Sequence, residues 1–136
     1  MPTAEKTLFR WPIRIYYEDT DAGGIVYHSN YLKYFERART EMLRVIGVSQ
    51  EVLLQQELGF VVRHMDIDFL QGAKLDQELT VLTHISQIKR ASLDFCQEIV
   101  NLEGRVLCKA TVKVACINTA KMRPQAIPSF MITELS

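Results

Sequence analysis

The sequence predicts an α+β fold in which one long helix lies on one face of an antiparallel sheet. Two patterns carry that expectation. Apolar residues recur at helical spacing from Tyr31 to Ile46. From Phe60 onward the period changes to two and continues through four extended runs. A long apolar helix stripe needs a surface to cover it, and four contiguous late strands plus one early strand supply that surface. Strands that follow one another directly favour hairpins over parallel crossovers.

The first extended run is Ile13-Arg14-Ile15-Tyr16-Tyr17, with Pro12 before it, as at a strand start or an edge. Glu18 to Gly24 is polar and glycine-rich and reads as a loop. The helix follows, starting between His28 and Asn30. Tyr31, Phe35, Ala38, Met42 and Ile46 form its stripe, widened by Tyr34 and Leu43. Lys33, Glu36, Arg37, Arg39, Glu41 and Arg44 place charge mostly on the remaining surface, where Arg37 and Glu41 are spaced to pair. Gly47 supplies the stop, at a length of roughly 25–30 Å. Ser49 caps a second, short helix that ends by Gly59.

In the next strand Met65, Ile67 and Phe69 face one way, and His64, Asp66 and Asp68 the other. Leu79 to Ile88 is the second late strand. Leu93, Phe95 and Ile99 mark the third, with Asp94, Cys96 and Glu98 opposite. Glu103-Gly104 signals a hairpin. Val106, Cys108, Ala110, Val112, Val114 and Cys116 then alternate with Lys109, Thr111 and Lys113. Pro124 and Pro128 end regular pairing and leave a short tail.

The 136 residues fit a single domain, 1–136, and 48% hydrophobic residues suffice for one core. Sixteen basic and sixteen acidic residues cancel, which removes any global electrostatic case for nucleic acid or a membrane surface. No run of about 18 apolar residues exists to span a bilayer. Met1 to Arg10 carries Glu5, Lys6 and Arg10 but no apolar stretch, which argues against a secretory signal. Cys96, Cys108 and Cys116 are odd in number and form no C-x-x-C pair. They read as three buried small side chains in a reducing cytoplasm, not as a disulfide framework or zinc site. The three histidines lack metal spacing, so no metal or cofactor is expected.

Chemistry concentrates between the first strand and the long helix. Tyr17-Glu18-Asp19-Thr20-Asp21-Ala22-Gly23-Gly24-Ile25-Val26-Tyr27-His28 holds three carboxylates, two glycines, two tyrosines and a histidine. Taken blandly, acidic residues before a helix favour its dipole and paired glycines make a turn. There is also a catalytic reading. A helix N-terminus presents free N–H groups that stabilise an oxyanion, and a nearby carboxylate serves as base on water or attacks directly. A thioester suits this arrangement, with an electrophilic carbonyl and a thiolate leaving group. Glu18 and Asp19 are close to Asp21 in sequence, and Asp19 suits a turn role, holding the loop through side-chain to backbone bonds.

The run Arg14 to Tyr31 resembles the signature of the 4-hydroxybenzoyl-CoA thioesterase family, in its YbgC-type branch of acyl-CoA thioesterases. Tyr34 to Glu41, Phe60-Val61-Val62-Arg63 and the tail Lys121-Met122-Arg123-Pro124 with Ile127-Pro128 carry the likeness along nearly the whole chain. The resemblance implies a hotdog fold, a five-stranded antiparallel sheet wrapped around one long helix. It implies an acyl-CoA substrate whose CoA is not a separate cofactor, protomers that pair their sheets into homodimers or homotetramers, and active sites between protomers. It implies Asp21 as nucleophile or general base, Asp19 as structural, Tyr17 and His28 as supporting catalytic residues, and the amides near His28 as the oxyanion site.

A second reading comes with the same branch, which is linked to the cell-envelope Tol–Pal gene cluster. It is an interaction module for acyl carrier protein or phospholipid synthesis, with weak hydrolysis. Arg63, Lys89, Arg90, Lys121 and Arg123 are available to CoA phosphates, although basic residues near strand ends are ordinarily surface charge.

Overall fold

The computed structural model describes residues 8–136, so most of the expectation about Met1 to Arg10 lies outside the described residues. The elements run β1 (Phe9–Arg14), α1 (Asn30–Val45), α2 (Gln50–Gln55), β2 (Leu58–Phe69), β3 (Glu78–Ile88), β4 (Ser92–Val100), β5 (Val106–Asn118), β6 (Arg123–Pro124) and α3 (Ser129–Leu135). The sheet order is β1-β3-β4-β5-β2, antiparallel throughout, with two-residue β6 on β5. This is the hotdog arrangement, one long helix held by a curled antiparallel sheet.

α1 forms because its stripe buries Tyr31, Tyr34, Phe35, Ala38, Met42 and Leu43 on one face. The opposing wall comes from alternate residues of the strands, including Leu79 and Val81, Leu93, Phe95 and Ile99, and Val112 and Val114. The helix ends where Gly47 takes φ +89°, a conformation costly for other residues. Ser49 caps α2 as expected, its Oγ accepting the Val52 N–H at 3.4 Å. The β4–β5 hairpin turns at Glu103-Gly104, where Asn101 Oδ1 accepts from the N–H groups of Glu103 and Arg105.

Several expectations shift. β1 starts at Phe9 and ends at Arg14, so Pro12 lies inside it and Tyr16-Tyr17 outside. Proline is tolerated there because β1 is an edge strand and its missing N–H faces no neighbour. Tyr17–Asp19 instead forms a 3-10 turn. Glu41 pairs with Arg44 at 3.3 Å, one turn away, not with Arg37. Cys96 is half-buried, since its strand parity points it away from the helix, whereas Cys108 and Cys116 are buried. Pro124 does not end regular pairing, since it lies opposite Ile117 in β6, and the tail that follows carries structure. Beyond Pro128 it forms α3 and buries Met131 and Leu135.

The largest departure concerns Arg39. Its charge predicts a place on the solvent face of α1, yet it is 9% exposed. Its Nη1 donates to Gln97 Oε1 at 2.9 Å, and its guanidinium carbon stands 6.0 Å from the Phe95 ring centroid. Gln97 in turn donates both amide hydrogens, to the Phe35 carbonyl and to Thr83 Oγ1, each at 3.0 Å. A polar strut thus links α1 to β3 and β4 through the core.

Candidate active site

The segment between β1 and α1 is built by its own backbone bonds. The Asp21 N–H donates to the Ile25 carbonyl at 2.8 Å, and Gly24 N–H donates back to the Asp21 carbonyl at 3.0 Å. Gly24 sits at φ +81°, which closes this tight turn. Thr20 bridges to Val26 and Ile25 to Lys74, and the Val26 N–H donates to the Ala73 carbonyl at 2.8 Å. The loop is thereby pinned to the β2–β3 connection.

The two aspartates do different work. Asp19 Oδ2 accepts the Tyr16 N–H at 2.8 Å, while its carbonyl accepts from the Tyr27 N–H and from Asn30 Nδ2, both at 2.9 Å. Asp19 therefore ties the 3-10 turn to the start of α1. Asp21 is exposed, and its Oδ1 accepts the Gly23 N–H at 2.8 Å. Its other carboxylate oxygen has no hydrogen-bond partner among the described residues.

At the helix entry the bonds are short-range. Asn30, Tyr31 and Leu32 donate to the carbonyls of Tyr27, His28 and Ser29 at 2.9, 3.3 and 3.2 Å. The N–H groups of His28 and Ser29 have no hydrogen-bond partner among the described residues. Ser29 makes no side-chain cap, and the first turn carries no acidic residue. The positive end of the helix is left for another acceptor.

Aromatic rings wall this entry. His28 leans on Tyr27 at 4.6 Å and meets Phe69 edge-on at 6.0 Å; Tyr31 meets Phe69 at 5.7 Å. Phe69, at the end of β2, is therefore turned to the entry and half exposed, not sunk in the core. Tyr31 accepts the Ala73 N–H at 3.0 Å, which fixes the β2–β3 connection against α1. Burial raises the pKa of Tyr31 and Tyr34, and the charge of Asp19 raises that of Tyr34 further. The Tyr34 hydroxyl is buried without a hydrogen-bond partner among the described residues.

Asp21 and His28 thus lie on the same pinned segment. Tyr17 is on the 3-10 turn and 82% exposed. None of the three lines either of two cavities. One, of about 470 Å³, lies on the sheet face away from α1, among Asp66, Asp68, His84, Glu98 and Lys109. The other, of about 240 Å³, lies between α1 and the sheet, with Arg39, Phe60, Val62 and Phe95 in its wall.

Residue type alone does not single out Arg39 and Gln97. Their positions in the periodic pattern do. Arg39 is four residues after Phe35 and four before Leu43, on the stripe itself. Gln97 shares the inward parity of Leu93, Phe95 and Ile99. Among the described residues, no cluster of His, Cys, Asp and Glu is suited to a metal ion. Among those residues too, no helix is long and apolar enough to cross a membrane.

Residues 16–135 match the family model of the thioesterase-like superfamily. The chain is 48% identical over 128 residues to the acyl-CoA thioester hydrolase YbgC of Escherichia coli O6:H1, covering 94% of this chain and 96% of that protein. It is 51% identical over 121 residues to the acyl-CoA thioesterase YbgC of Haemophilus influenzae, covering 88% of each. Among solved structures, a probable thioesterase from Bartonella henselae superposes with a TM-score of 0.83 at 39% identity, covering 89% of this chain and 99% of that one.

Proposed function

We propose that this chain, which belongs to the thioesterase-like superfamily and is a thioester hydrolase, converts acyl-CoA and water to the free acid and CoA at the junction of the Asp21 loop and the start of α1. The observation that carries this reading is the pairing of unspent His28 and Ser29 N–H groups with an exposed carboxylate on the same pinned segment. Those amides would receive the thioester oxygen as it becomes an oxyanion. As base, Asp21 takes a proton from water while the water oxygen bonds to the carbonyl carbon. Collapse then breaks the carbon–sulfur bond, and the proton passes to the departing thiolate. As nucleophile, Asp21 bonds to the carbonyl carbon and the carbon–sulfur bond breaks to expel CoA thiolate; water then opens the mixed anhydride to the free acid and the Asp21 carboxylate, and the proton it gives up neutralises the thiolate. His28 and Tyr17 support the site, His28 by walling the helix entry and Tyr17 from the turn before it.

The site is completed by a second copy. Among the described residues β2 is a twelve-residue edge strand, paired to β5 on one side only and carrying exposed Val61 and Val62. An open edge of that length is a template for another strand. Antiparallel pairing with its own copy is two-fold symmetric, and it sets the Phe69 end of one strand beside the Leu58 end of the other.

The deciding experiment is a free-thiol assay over acyl-CoA and acyl-carrier-protein thioesters with the natural protein and Asp21→Asn. Turnover on CoA thioesters that falls about 10²–10⁴-fold in the variant supports the reading. Equal slow rates in both overturn it in favour of an interaction module. Single turnover in ¹⁸O-water adds a one-way check, since label in the Asp21 carboxylate arises only by the nucleophilic route with water opening the anhydride at the aspartyl carbon.

A further inference from the structure

The 240 Å³ cavity between α1 and the sheet holds the Arg39 guanidinium, and Glu36, the one carboxylate in its lining among the described residues, forms no ion pair with it. Arg39 is nine-tenths buried, and among the described residues no carboxylate lies within ion-pair distance of it. Its one hydrogen bond is to the neutral Gln97 Oε1; Nε and Nη2 have no partner among the described residues. A charge held in low dielectric calls for an opposite charge or several hydrogen bonds. The guanidinium is also fixed in place. Gln97 has spent both donors on Phe35 and Thr83, so its oxygen cannot turn away, and Phe95 backs the group at 6.0 Å. The rest of the wall is largely apolar, including Phe60, Val62, Leu93 and Val114. Glu36 lies at the mouth, one helical turn before Arg39, and opposes the entry of an anion.

We propose that Arg39 is a specificity-determining residue that selects acyl groups ending in a carboxylate. This rests on the thioesterase reading above and on β2 pairing with a second copy. Within one protomer, Arg39 lies nine residues beyond Asn30, roughly 13 Å along the helix. Across the paired strands the separation is different. Phe69, against which His28 rests at 6.0 Å, comes beside the partner's Leu58–Phe60 end, and Phe60 and Val62 line the cavity. The cavity of one protomer then opens beside the helix entry of the other. A short acyl chain would run along Phe60, Val62 and Phe95. Its terminal carboxylate would accept from the free N–H groups of Arg39, a fork that matches it.

The test compares glutaryl-CoA with valeryl-CoA, chains of equal carbon count that differ in the terminal carboxylate, on the natural protein, Arg39→Lys, Arg39→Met and Glu36→Gln. In the natural protein, kcat/KM for glutaryl-CoA is expected to exceed that for valeryl-CoA by about tenfold or more. Arg39→Met should abolish that preference, Arg39→Lys should retain part of it, and Glu36→Gln should raise it. Valeryl-CoA turnover with a ratio at or below one in the natural protein overturns the inference and leaves the thioesterase reading standing. No turnover of either thioester overturns both. Mass measurement of Arg39→Met provides a separate check. Loss of assembly in that variant would assign Arg39 to a carboxylate of the second copy and overturn the inference as well.

Discussion

Asp21 Oδ1 and the Gly23 N–H are bonded at 2.8 Å, so the loop's exposed carboxylate helps to shape its own turn. Asparagine keeps that acceptor and loses the charge. Asp21→Asn should therefore melt within a degree or two of the natural protein while losing about 10²–10⁴-fold in turnover. Asp21→Ala removes the acceptor too and should lower the melting temperature measurably beyond Asp21→Asn. Thermal denaturation alongside a thiol-release assay checks both, and unchanged turnover in Asp21→Asn would falsify the assignment.

Asp19 behaves differently because its side chain fastens Tyr16 to the segment whose carbonyl holds Tyr27 and Asn30. Asp19→Ala should cost about 0.5–2 kcal/mol, the range for losing a carboxylate that caps backbone N–H groups. Urea titration measures this. Turnover should fall less than in Asp21→Asn, because the loop loosens but keeps the Asp21 carboxylate.

Gln97 is 2% exposed and satisfies Phe35, Thr83 and Arg39 at once. Gln97→Leu leaves a buried carbonyl, a hydroxyl and a guanidinium each short of a partner. Unmade buried bonds cost about 1–3 kcal/mol apiece, more for charged groups. A loss of several kcal/mol in the denaturant midpoint is expected, and a variant as stable as the natural protein would show that water replaces the amide.

The buried thiols give a pH prediction. Burial pushes Cys108 from 9.0 up to about 12 and Cys116 up to about 11. In the unfolded chain they lose their protons first, near pH 9. Above that pH the folded state holds more protons than the unfolded one, so stability falls as pH rises. This contribution is constant below pH 9 and is lost progressively between pH 9 and about 12. Urea midpoints measured across pH 8–11 should decline less steeply in Cys108→Ala than in the natural protein. In native protein near pH 8 no more than one thiol per chain, Cys96, should react with a disulfide reagent.

The open edge of β2 should hold two copies together. Sedimentation is expected to give a mass of at least twice the 15.7 kDa of one chain. Val61→Glu places like charges near one another across the two-fold axis and should shift the mass toward the single chain. A natural protein that sediments as a single chain at micromolar concentration would remove the partner from the site.

Periodicity alone determined where the long helix and the four late strands lie, because 3.6 and 2.0 are local properties of backbone geometry. The stripe from Tyr31 to Leu43 and the alternation from Val106 to Cys116 needed no knowledge of their neighbours. The run from Tyr17 to His28 likewise marked the loop where the candidate chemistry lies. Tertiary structure decided what those residues meet. Arg39 reads as one more surface charge until β4 brings Gln97 and Phe95 against it from 58 and 56 positions away in the sequence. Phe69 shares the parity of Met65 and Ile67 yet turns to the helix entry, because His28 and Tyr31 are waiting there. The tail beyond Pro128 is too short to form a stable helix alone, and it does so only by burying Met131 and Leu135 against the rest of the protein. A sequence reports its own period, but burial is a relation between segments, and only the folded chain sets which segments meet.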